Sequence, residues 1–302
     1  MQEFTYGKTT WINLVAPDET TVRDIFTRFN IDPRILNELL TSSTRSHIKP
    51  MPEGYYLAIH YPRYNGKNKT VSATEIDIIR HNDLVITVSY SPNEVLHQFT
   101  REAEAATAIS KNKKGNTIPP QQLIEELLVR MYREAENEVK ICEDWVANIE
   151  DNVFEGFEGR MVYELSRVGR HLIHLYSILS YHGHLIQELQ RITRHLEKKQ
   201  EIEQPVYTAY HRAFTRLESA RLVHLEVRRT NEDLLSSRRN EVMHSLTLIT
   251  FLLLPLSLIA GIFGMNAVLP FTKNDHAFIS ILGLMVVSVL IIILFFRNRK
   301  WL

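Results

Sequence analysis

SLTLITFLLLPLSLIAGIFGMNAVLPFT, residues 245–272, is a stretch without one charged side chain. As a helix, its roughly 28 residues at 1.5 Å each reach about 42 Å, which exceeds the hydrocarbon thickness of about 30 Å. A second uncharged run, residues 277–296, supplies about 20 more residues and ends before Arg297. The sequence upstream is too polar for lipid. We therefore predict a large soluble body that ends in a two-helix transmembrane hairpin.

Composition narrows the class of protein. Lys and Arg total 35 and so do Asp and Glu, so a formal net charge of zero gives no basic field for nucleic acid. Cys142 is the single cysteine, which excludes a disulfide framework and a thiolate metal cage. The sequence shows no phosphate-binding glycine loop and no zinc-hydrolase or Ser/His/Asp motif, so we do not expect an enzyme.

Basic residues flank both predicted spans on the same side of the membrane. Arg238 and Arg239 precede the first span, and Arg297, Arg299 and Lys300 follow the second. By the positive-inside rule both flanks are cytoplasmic. The N-terminus lacks the apolar core of a signal peptide, so export of the soluble body is not expected. These patterns predict a multi-pass protein of the cell (inner) membrane with both termini in the cytoplasm.

The fold class predicted is an α+β cytoplasmic domain with long helices, followed by the transmembrane hairpin. Short strand patterns alternate with helices in the first part of the chain, and strand signals vanish beyond it. The predicted segments are an α/β domain at 1–110, a linker at 111–120, a long helical hairpin at 121–200 with a break near Gly156 and Gly159, a stalk helix at 203–264 that continues into the first span at about 245–264, an external loop at 265–276, the second span at 277–296 and a basic tail at 297–302.

An apolar seam runs along the predicted stalk helix. Its members follow one another at alternating steps of four and three, which is the heptad spacing of helices that pack along their length: Val206, Tyr210, Ala213, Leu217, Ala220, His224, Val227, Asn231 and Leu234. A single helix of some 55 residues would be about 80 Å long. We expect neighbouring copies of the chain to support that length, and so an oligomer.

Small and polar residues recur along one face of the first span. The face comprises Asn240, Met243, Thr247, Thr250, Leu254, Ser257, Gly261 and Gly264. One interpretation is close helix–helix packing, because small and hydroxyl residues let membrane helices approach. The other is that several copies turn this face toward a central water path, since two spans from one chain cannot enclose a channel.

Motifs in this span resemble the CorA family of divalent-cation channels. The matching residues are Asn240-Glu241-Val242-Met243, Leu246-Thr247, Pro255-Leu256 and Ala260-Gly261-Ile262-Phe263-Gly264-Met265-Asn266. The basic C-terminus ending in Trp301-Leu302 is similar as well, and Trp11-Ile12-Asn13-Leu14 and Glu75-Ile76-Asp77 fit more loosely. The resemblance covers nearly the whole chain. It implies a magnesium channel assembled as a funnel-shaped homopentamer in the lipid membrane.

The resemblance also implies a role for individual positions. Gly264, Met265 and Asn266 would form the outer selectivity ring. Side-chain amides suit that place because Mg²⁺ gives up its water reluctantly and conduction needs weak binding. Met243 and Leu246 would form a hydrophobic gate that closes by dewetting. The remaining pore-lining positions would be Asn240, Thr250, Leu254, Ser257 and Gly261.

The chain departs from the family pattern at two places. The loop after Asn266 reads AVLPF with no acidic residue until Asp275, whereas magnesium members carry Met-Pro-Glu there, so the outer ring of glutamates is missing. In the family, regulatory Mg²⁺ bridges acids of the N-terminal domain and acids near the start of a neighbour's stalk helix. Here Glu94 falls near the first place, but the second reads Gln204-Pro205-Val206 with only Glu201 and Glu203 nearby. Glu94 and Glu203 are therefore the candidate metal ligands. Mg²⁺ is expected as transported ion and regulatory ligand, with Co²⁺ and Ni²⁺ as further substrates and with no other cofactor.

Two alternatives stay open at this stage. A ZntB-like Zn²⁺ transporter has the same architecture, and His171, His174 and His182 can share a helix face, where imidazole would suit zinc. A non-conducting membrane-tethered scaffold or cation sensor would also carry a two-span hairpin. Cation uptake distinguishes the three hypotheses.

Overall fold

The computed structural model describes residues 1–41, 43, 45–65, 70–109, 118–197, 205–265 and 277–298. The chain divides into two compact units, Met1–Arg229 and Thr230–Leu302. The first unit contains a β-sheet and the helices that pack on it. The second contains the two candidate membrane spans.

Six strands form one mixed sheet in the order β1-β2-β6-β5-β4-β3. Neighbouring strands are antiparallel except for β2 and β6, which run parallel with Trp11 opposite Val85. The strands are β1 Gln2–Tyr6, β2 Thr9–Val15, β3 His47–Met51, β4 Gly54–Asn65, β5 Thr70–His81 and β6 Leu84–Ser89.

The helices begin where the sequence offers capping groups. Asp18 accepts a hydrogen bond from the backbone N–H of Thr21 at the start of α1, and Asp32 caps α2, whose first residue is Pro33. The helices are α1 Glu19–Arg28, α2 Pro33–Leu40, α3 Glu94–Ile109, α4 Pro120–Phe154, α5 Glu158–Leu179, α6 His182–Glu197, α7 Pro205–Phe263 and α8 Ala277–Asn298.

Side chains alternate across the sheet, so its two faces bury different residues. Ile12 and Ile86 lie in the core that the sheet forms with α1 and α2. Trp11 is fully buried and packs between Phe4 and Phe99, at ring-centroid distances of 5.0 and 5.1 Å. The sheet is therefore covered on both faces and positions the ends of its strands rigidly.

The long helices differ from the sequence prediction at one point. The predicted break near Gly156 is present, because α4 ends at Phe154 and Gly156 adopts a φ of 93°. The stretch after it was predicted to be one helix, but the structure divides it at Ser180 and Tyr181 into α5 and α6.

The apolar seam of α7 is covered by its own chain. Ala213 and Leu217 are completely buried, and Tyr210 contacts Tyr132 of α4 at a ring-centroid distance of 5.6 Å. Arg216 forms an ion pair with Glu143 of α4, with Nη2 2.6 Å from Oε2. The first half of this seam therefore packs against α4 and α5 of the same chain, and the oligomer, which was inferred from the length of the helix, stays a prediction.

Candidate ion pathway and cytoplasmic cavity

Two of the described helices, α7 and α8, are long and apolar enough to cross a membrane, with segments of mean hydropathy 2.4 and 3.1. In the second unit Phe251 of α7 contacts Phe296 of α8 at a ring-centroid distance of 5.8 Å. Pro255 lies inside α7, which continues past it to Phe263. The first span is thus the end of one uninterrupted helix of 59 residues.

The hydroxyls of this span bond to its own backbone. Thr247 donates to the carbonyl oxygen of Met243 and Thr250 donates to that of Leu246, each at 2.8 Å. Both threonines are exposed in the single chain. Because each hydroxyl proton is used inside the helix, only oxygen lone pairs face outward. Such a surface accepts hydrogen bonds from water and does not donate them.

The candidate pore positions lie on the same helix, and all are exposed in the single chain. Leu254 is 61% exposed, and the gate candidates Met243 and Leu246 are 57% and 53% exposed. These side chains are free to contact water or another copy. The other exposed pore-lining candidates are Asn240, Ser257 and Gly261.

Gly264 has a structural role that the sequence motif did not indicate. Its N–H donates to the carbonyl oxygen of Ala260 at 2.8 Å and completes the last turn of α7. A Cβ at this position would lie 2.8 Å from the same oxygen, closer than real Cβ atoms come. Met265 follows and is 66% exposed. Asn266, the third member of the predicted ring, lies outside the described residues.

The candidate regulatory residue Glu94 lies at the first turn of α3 and accepts a hydrogen bond from Gln98 at 3.2 Å. It lines a cavity of about 440 Å³ in the first unit, together with Glu134 and Glu138 of α4. Burial, and then the neighbouring Glu134 carboxylate, raise the pKa of Glu138 to about 7. The other regulatory candidate, Glu203, lies outside the described residues.

The histidines that favoured zinc do not form a common site. His171 and His174 lie on α5, whereas His182 lies on α6, so the shared helix face is wrong. His171 is buried against the ring of Trp145, at a centroid distance of 5.4 Å. Among the described residues, no group of three His, Cys, Asp or Glu side chains is arranged to hold a metal ion.

His182 instead belongs to a buried hydrogen-bonded chain. Its Nδ1 lies 3.2 Å from the Tyr132 hydroxyl, and its Nε2 lies 3.3 Å from the Ser46 hydroxyl, which also lies 3.4 Å from Nδ1 of His60. Burial lowers the pKa of His182 to about 3, so the ring is neutral at physiological pH. The chain joins α6 and α4 to the sheet.

A second buried polar group, which no local pattern revealed, lies under α2. Asp77 is completely buried on β5, and its two oxygens lie 3.0 Å from the Tyr56 hydroxyl and 2.5 Å from the Tyr90 hydroxyl. The Tyr90 hydroxyl also lies 2.8 Å from the carbonyl oxygen of Leu39. Burial, and then the Glu75 carboxylate, raise the pKa of Asp77 to about 7.

An α/β unit followed along the chain by long helices and two C-terminal apolar helices defines a membrane protein with one large soluble domain. The family described as CorA-like Mg²⁺ transporter protein matches residues 6–299. The chain belongs to the CorA family of divalent-cation transporters, so the family prediction made from the first-span motifs is confirmed.

Individual relatives agree with that assignment. The cobalt/magnesium transport protein CorA of Thermotoga maritima is 22% identical over 297 residues, which are 97% of this chain and 83% of that protein. The complete structure of the CorA magnesium transporter from Methanocaldococcus jannaschii has a TM-score of 0.80 at 17% identity and covers 100% of this chain and 95% of that one. The ZntB cytoplasmic domain from Vibrio parahaemolyticus has a TM-score of 0.56 at 12% identity, with 77% and 88% covered. These likenesses establish the fold, including the α/β domain, the long helices and the C-terminal pair.

Proposed function

We propose that this chain forms a homopentameric channel of the cell (inner) membrane that mediates Mg²⁺ influx, with Gly264, Met265 and Asn266 at its outer selectivity ring. Co²⁺ and Ni²⁺ are further candidate substrates. The soluble domain and both termini lie in the cytoplasm, as the flanking basic residues predict. Family membership supports divalent-cation transport, and the side chains of the first span support the proposed pore.

The observation that carries the proposal is that two threonine hydroxyls of the first span, those of Thr247 and Thr250, donate to their own helix backbone. A hydrated Mg²⁺ presents O–H donors, because the ion keeps its inner water shell. Thr247 and Thr250 present lone pairs to such an ion, since their protons are used by the backbone. Neutral oxygens hold the hydrated ion weakly, and weak binding at several positions is what conduction requires.

Pore formation requires several copies. The two apolar helices of one chain are too few to enclose a water path, and α7 leaves its candidate pore positions exposed. Five copies with α7 on the inside would place Asn240, Ser257 and Gly261 along the pathway. Met243 and Leu246 would then narrow it below the polar part and close it by dewetting.

Regulation by cytoplasmic Mg²⁺ stays a prediction that concerns Glu94 and Glu203. Glu94 is exposed at the start of α3, where a carboxylate is available to a neighbouring subunit. If the two acids hold an inhibitory ion between subunits, raising Mg²⁺ on the cytoplasmic side will reduce flux. Flux that does not respond to Mg²⁺ on that side contradicts this part of the proposal.

The test is cation flux into liposomes that contain the purified full-length protein and a Mg²⁺-sensitive dye. Asn266→Ala is expected to reduce Mg²⁺ flux at least about tenfold, because losing a hydrogen bond from the water shell of the ion to the ring costs about 1.4 kcal/mol or more. The matched control is Asn274→Ala, which removes an amide elsewhere in the predicted external loop. Oligomer mass is measured for both variants. Equal Mg²⁺ flux in the wild type and Asn266→Ala overturns the ring assignment.

Zinc transport is the second candidate, because the ZntB cytoplasmic domain shares the fold of the soluble part and because residues 267–274 contain no carboxylate. Flux of Mg²⁺, Zn²⁺, Co²⁺ and Ni²⁺ is compared in the same liposomes. If Zn²⁺ flux is insensitive to excess Mg²⁺, the protein is assigned as a zinc transporter and the magnesium assignment is withdrawn. A pentamer that conducts none of the four ions supports the scaffold or sensor alternative.

A further inference from the structure

The cavity of about 440 Å³ in the first unit is lined by residues of six elements, β1, β2, β4, β6, α3 and α4. Tyr61 comes from β4, Ser89 ends β6, Glu94 begins α3, and Glu134 and Glu138 come from α4. Its volume lies in the range of small-molecule sites, about 300–1,000 Å³. The cavity belongs to one subunit, whereas the regulatory ion predicted above lies between subunits.

Two deeply buried hydroxyls at this cavity have no hydrogen-bond partner among the described residues. Tyr61 is 5% exposed and Ser89 is completely buried, yet neither hydroxyl oxygen contacts a donor or acceptor there. The carboxylates of Glu134 and Glu138 act on the Tyr61 hydroxyl, because they raise its pKa further after burial has done so. Leaving a buried hydroxyl unpaired is unfavourable, so two at one cavity point to a ligand that pairs with them.

The carboxylate pair shows which charge that ligand carries. Glu134 and Glu138 are one helical turn apart and face the same side of α4. The raised pKa of Glu138 has burial and Glu134 as its causes, and no cationic group opposes them. The titratable and charged groups around Glu138 are Glu134 and Cys142 on α4, Tyr61 and Arg63 on β4, and Glu94 and His97 on α3. Arg63 reaches the Ser91 hydroxyl at 3.4 Å instead. The lining therefore holds three carboxylates, of Glu94, Glu134 and Glu138, against the one guanidinium of Arg63.

The lining favours an organic cation over a metal ion. No described group of three His, Cys, Asp or Glu side chains has the arrangement of a metal site. A fully hydrated ion with six waters occupies about 180 Å³, taking about 30 Å³ for each water, which is less than half of the cavity. Val15, Pro62 and Pro92 add apolar walls that suit an alkyl chain.

We propose that this cavity binds a small aliphatic amine in its ammonium form, with Glu134 and Glu138 as counter-ions and with the hydroxyls of Tyr61 and Ser89 as acceptors. An ammonium group has three N–H donors and no acceptor, so it complements the carboxylate and hydroxyl oxygens of these four residues. Two hydroxyls and two carboxylates provide at least four acceptors, enough for one ammonium group and part of a second. The inference goes beyond ion transport, and it gives the cytoplasmic domain an organic ligand.

The test is calorimetric titration of the full-length protein in detergent with 1,4-diaminobutane, n-butylamine and MgCl₂. The two amines are expected to bind the wild type. Glu134→Gln with Glu138→Gln is expected to weaken their binding at least about tenfold, since the ion pairs and their desolvated setting are lost. The matched control removes two exposed carboxylates from the same helix, Glu150→Gln with Asp151→Asn, and is expected to bind as the wild type does.

Tyr61→Phe provides a second, independent variant. It removes an unpaired buried hydroxyl, so the unfolding temperature without amine is expected to stay equal or to rise. Its affinity for the amines is expected to fall several-fold although its stability does not fall. A purely structural role of the hydroxyl would not produce this combination. Equal amine affinity in wild type, Tyr61→Phe and the double glutamine variant overturns the site. Binding of MgCl₂ alone that depends on the two glutamates overturns the ligand class, and Mg²⁺ flux is measured separately so that transport is judged independently.

Discussion

The buried carboxyl of Asp77 makes stability depend on pH in a direction that the structure fixes. Three acceptor oxygens, the two carboxyl oxygens of Asp77 and the carbonyl oxygen of Leu39, share the two hydroxyl protons of Tyr56 and Tyr90. Tyr56 meets one oxygen of Asp77, and Tyr90 meets the other oxygen of Asp77 and the carbonyl of Leu39. When Asp77 is protonated, it donates to the Tyr90 oxygen, and Tyr90 donates to Leu39, so every acceptor is satisfied. When Asp77 is ionised, Tyr90 must choose between two acceptors, and one of them stays buried and unpaired.

The magnitude follows from the shift in pKa. Burial raises the pKa of Asp77 from 3.8 to about 7 in the folded protein. About three pH units at 1.36 kcal/mol each give an upper limit of about 4 kcal/mol. Because the folded pKa is the higher one, this contribution to the free energy of unfolding is present below pH 4. It is lost as the pH rises from about 4 to about 7.

Asp77→Asn tests this reasoning, since asparagine copies the shape and donor of the protonated acid but cannot ionise. The variant is expected to match the wild type near pH 4 and to become more stable than it as the pH rises, by up to about 4 kcal/mol at pH 8. Denaturant unfolding of the full-length protein, followed by circular dichroism between pH 4 and 8, measures the difference. Asp83→Asn, an exposed aspartate in the turn before β6, is the control.

The result that refutes the argument is a stability difference between Asp77→Asn and the wild type that does not grow with pH. A variant that is less stable at every pH would refute it as well, because the carboxylate would then be the stabilising form. Comparing the two proteins at each pH removes the effect of other titrating groups, such as Glu138, since those groups are common to both.

Two further predictions concern packing in the first unit. Gly54→Ala is expected to destabilise this unit by about 3 kcal/mol, because a Cβ there would overlap the carbonyl oxygen of Arg80. Gly159→Ala is the control, because nothing lies within 4 Å of its Cβ. Thermal unfolding is expected to show that this control is up to about 1 kcal/mol more stable than the wild type. Arg216→Met is expected to cost about 1 kcal/mol, since its ion pair with Glu143 is partly exposed. A double-mutant cycle with Glu143→Gln that gives no coupling energy contradicts that contribution.

The transmembrane part was the easiest to predict, because contact with lipid requires nearly every residue of a span to be uncharged. Residues 245–264 had to be apolar, so the few small and hydroxyl residues among them stood out. The central strands were visible for the same kind of reason, since β6 is buried along its whole length. By contrast, β3 is an edge strand with Pro50 inside it and carries little apolar pattern.

The features that could not be predicted from the sequence depend on contacts between elements that are distant along the chain. The end of α5 is not marked by a strong helix breaker, and the start of α6 is fixed by His182, whose ring meets Ser46 and Tyr132. Asp77 looked like one member of an acidic strand motif until the fold enclosed it between two tyrosines. The 440 Å³ cavity likewise needs residues from six elements, and no local pattern joins them.

The last turn of α7 limits how this protein can change its ion preference. Gly264 cannot take on a side chain without disturbing the carbonyl of Ala260, and this constraint is independent of its role in the proposed selectivity ring. The end of the helix therefore explains this glycine as well as the proposed selectivity ring does. A new selectivity, reached by evolution or by engineering, has to arise at positions that carry no such backbone constraint. Ala267, Val268 and Leu269 of the predicted external loop already carry side chains, so exchanging them for other residues is the first route to try.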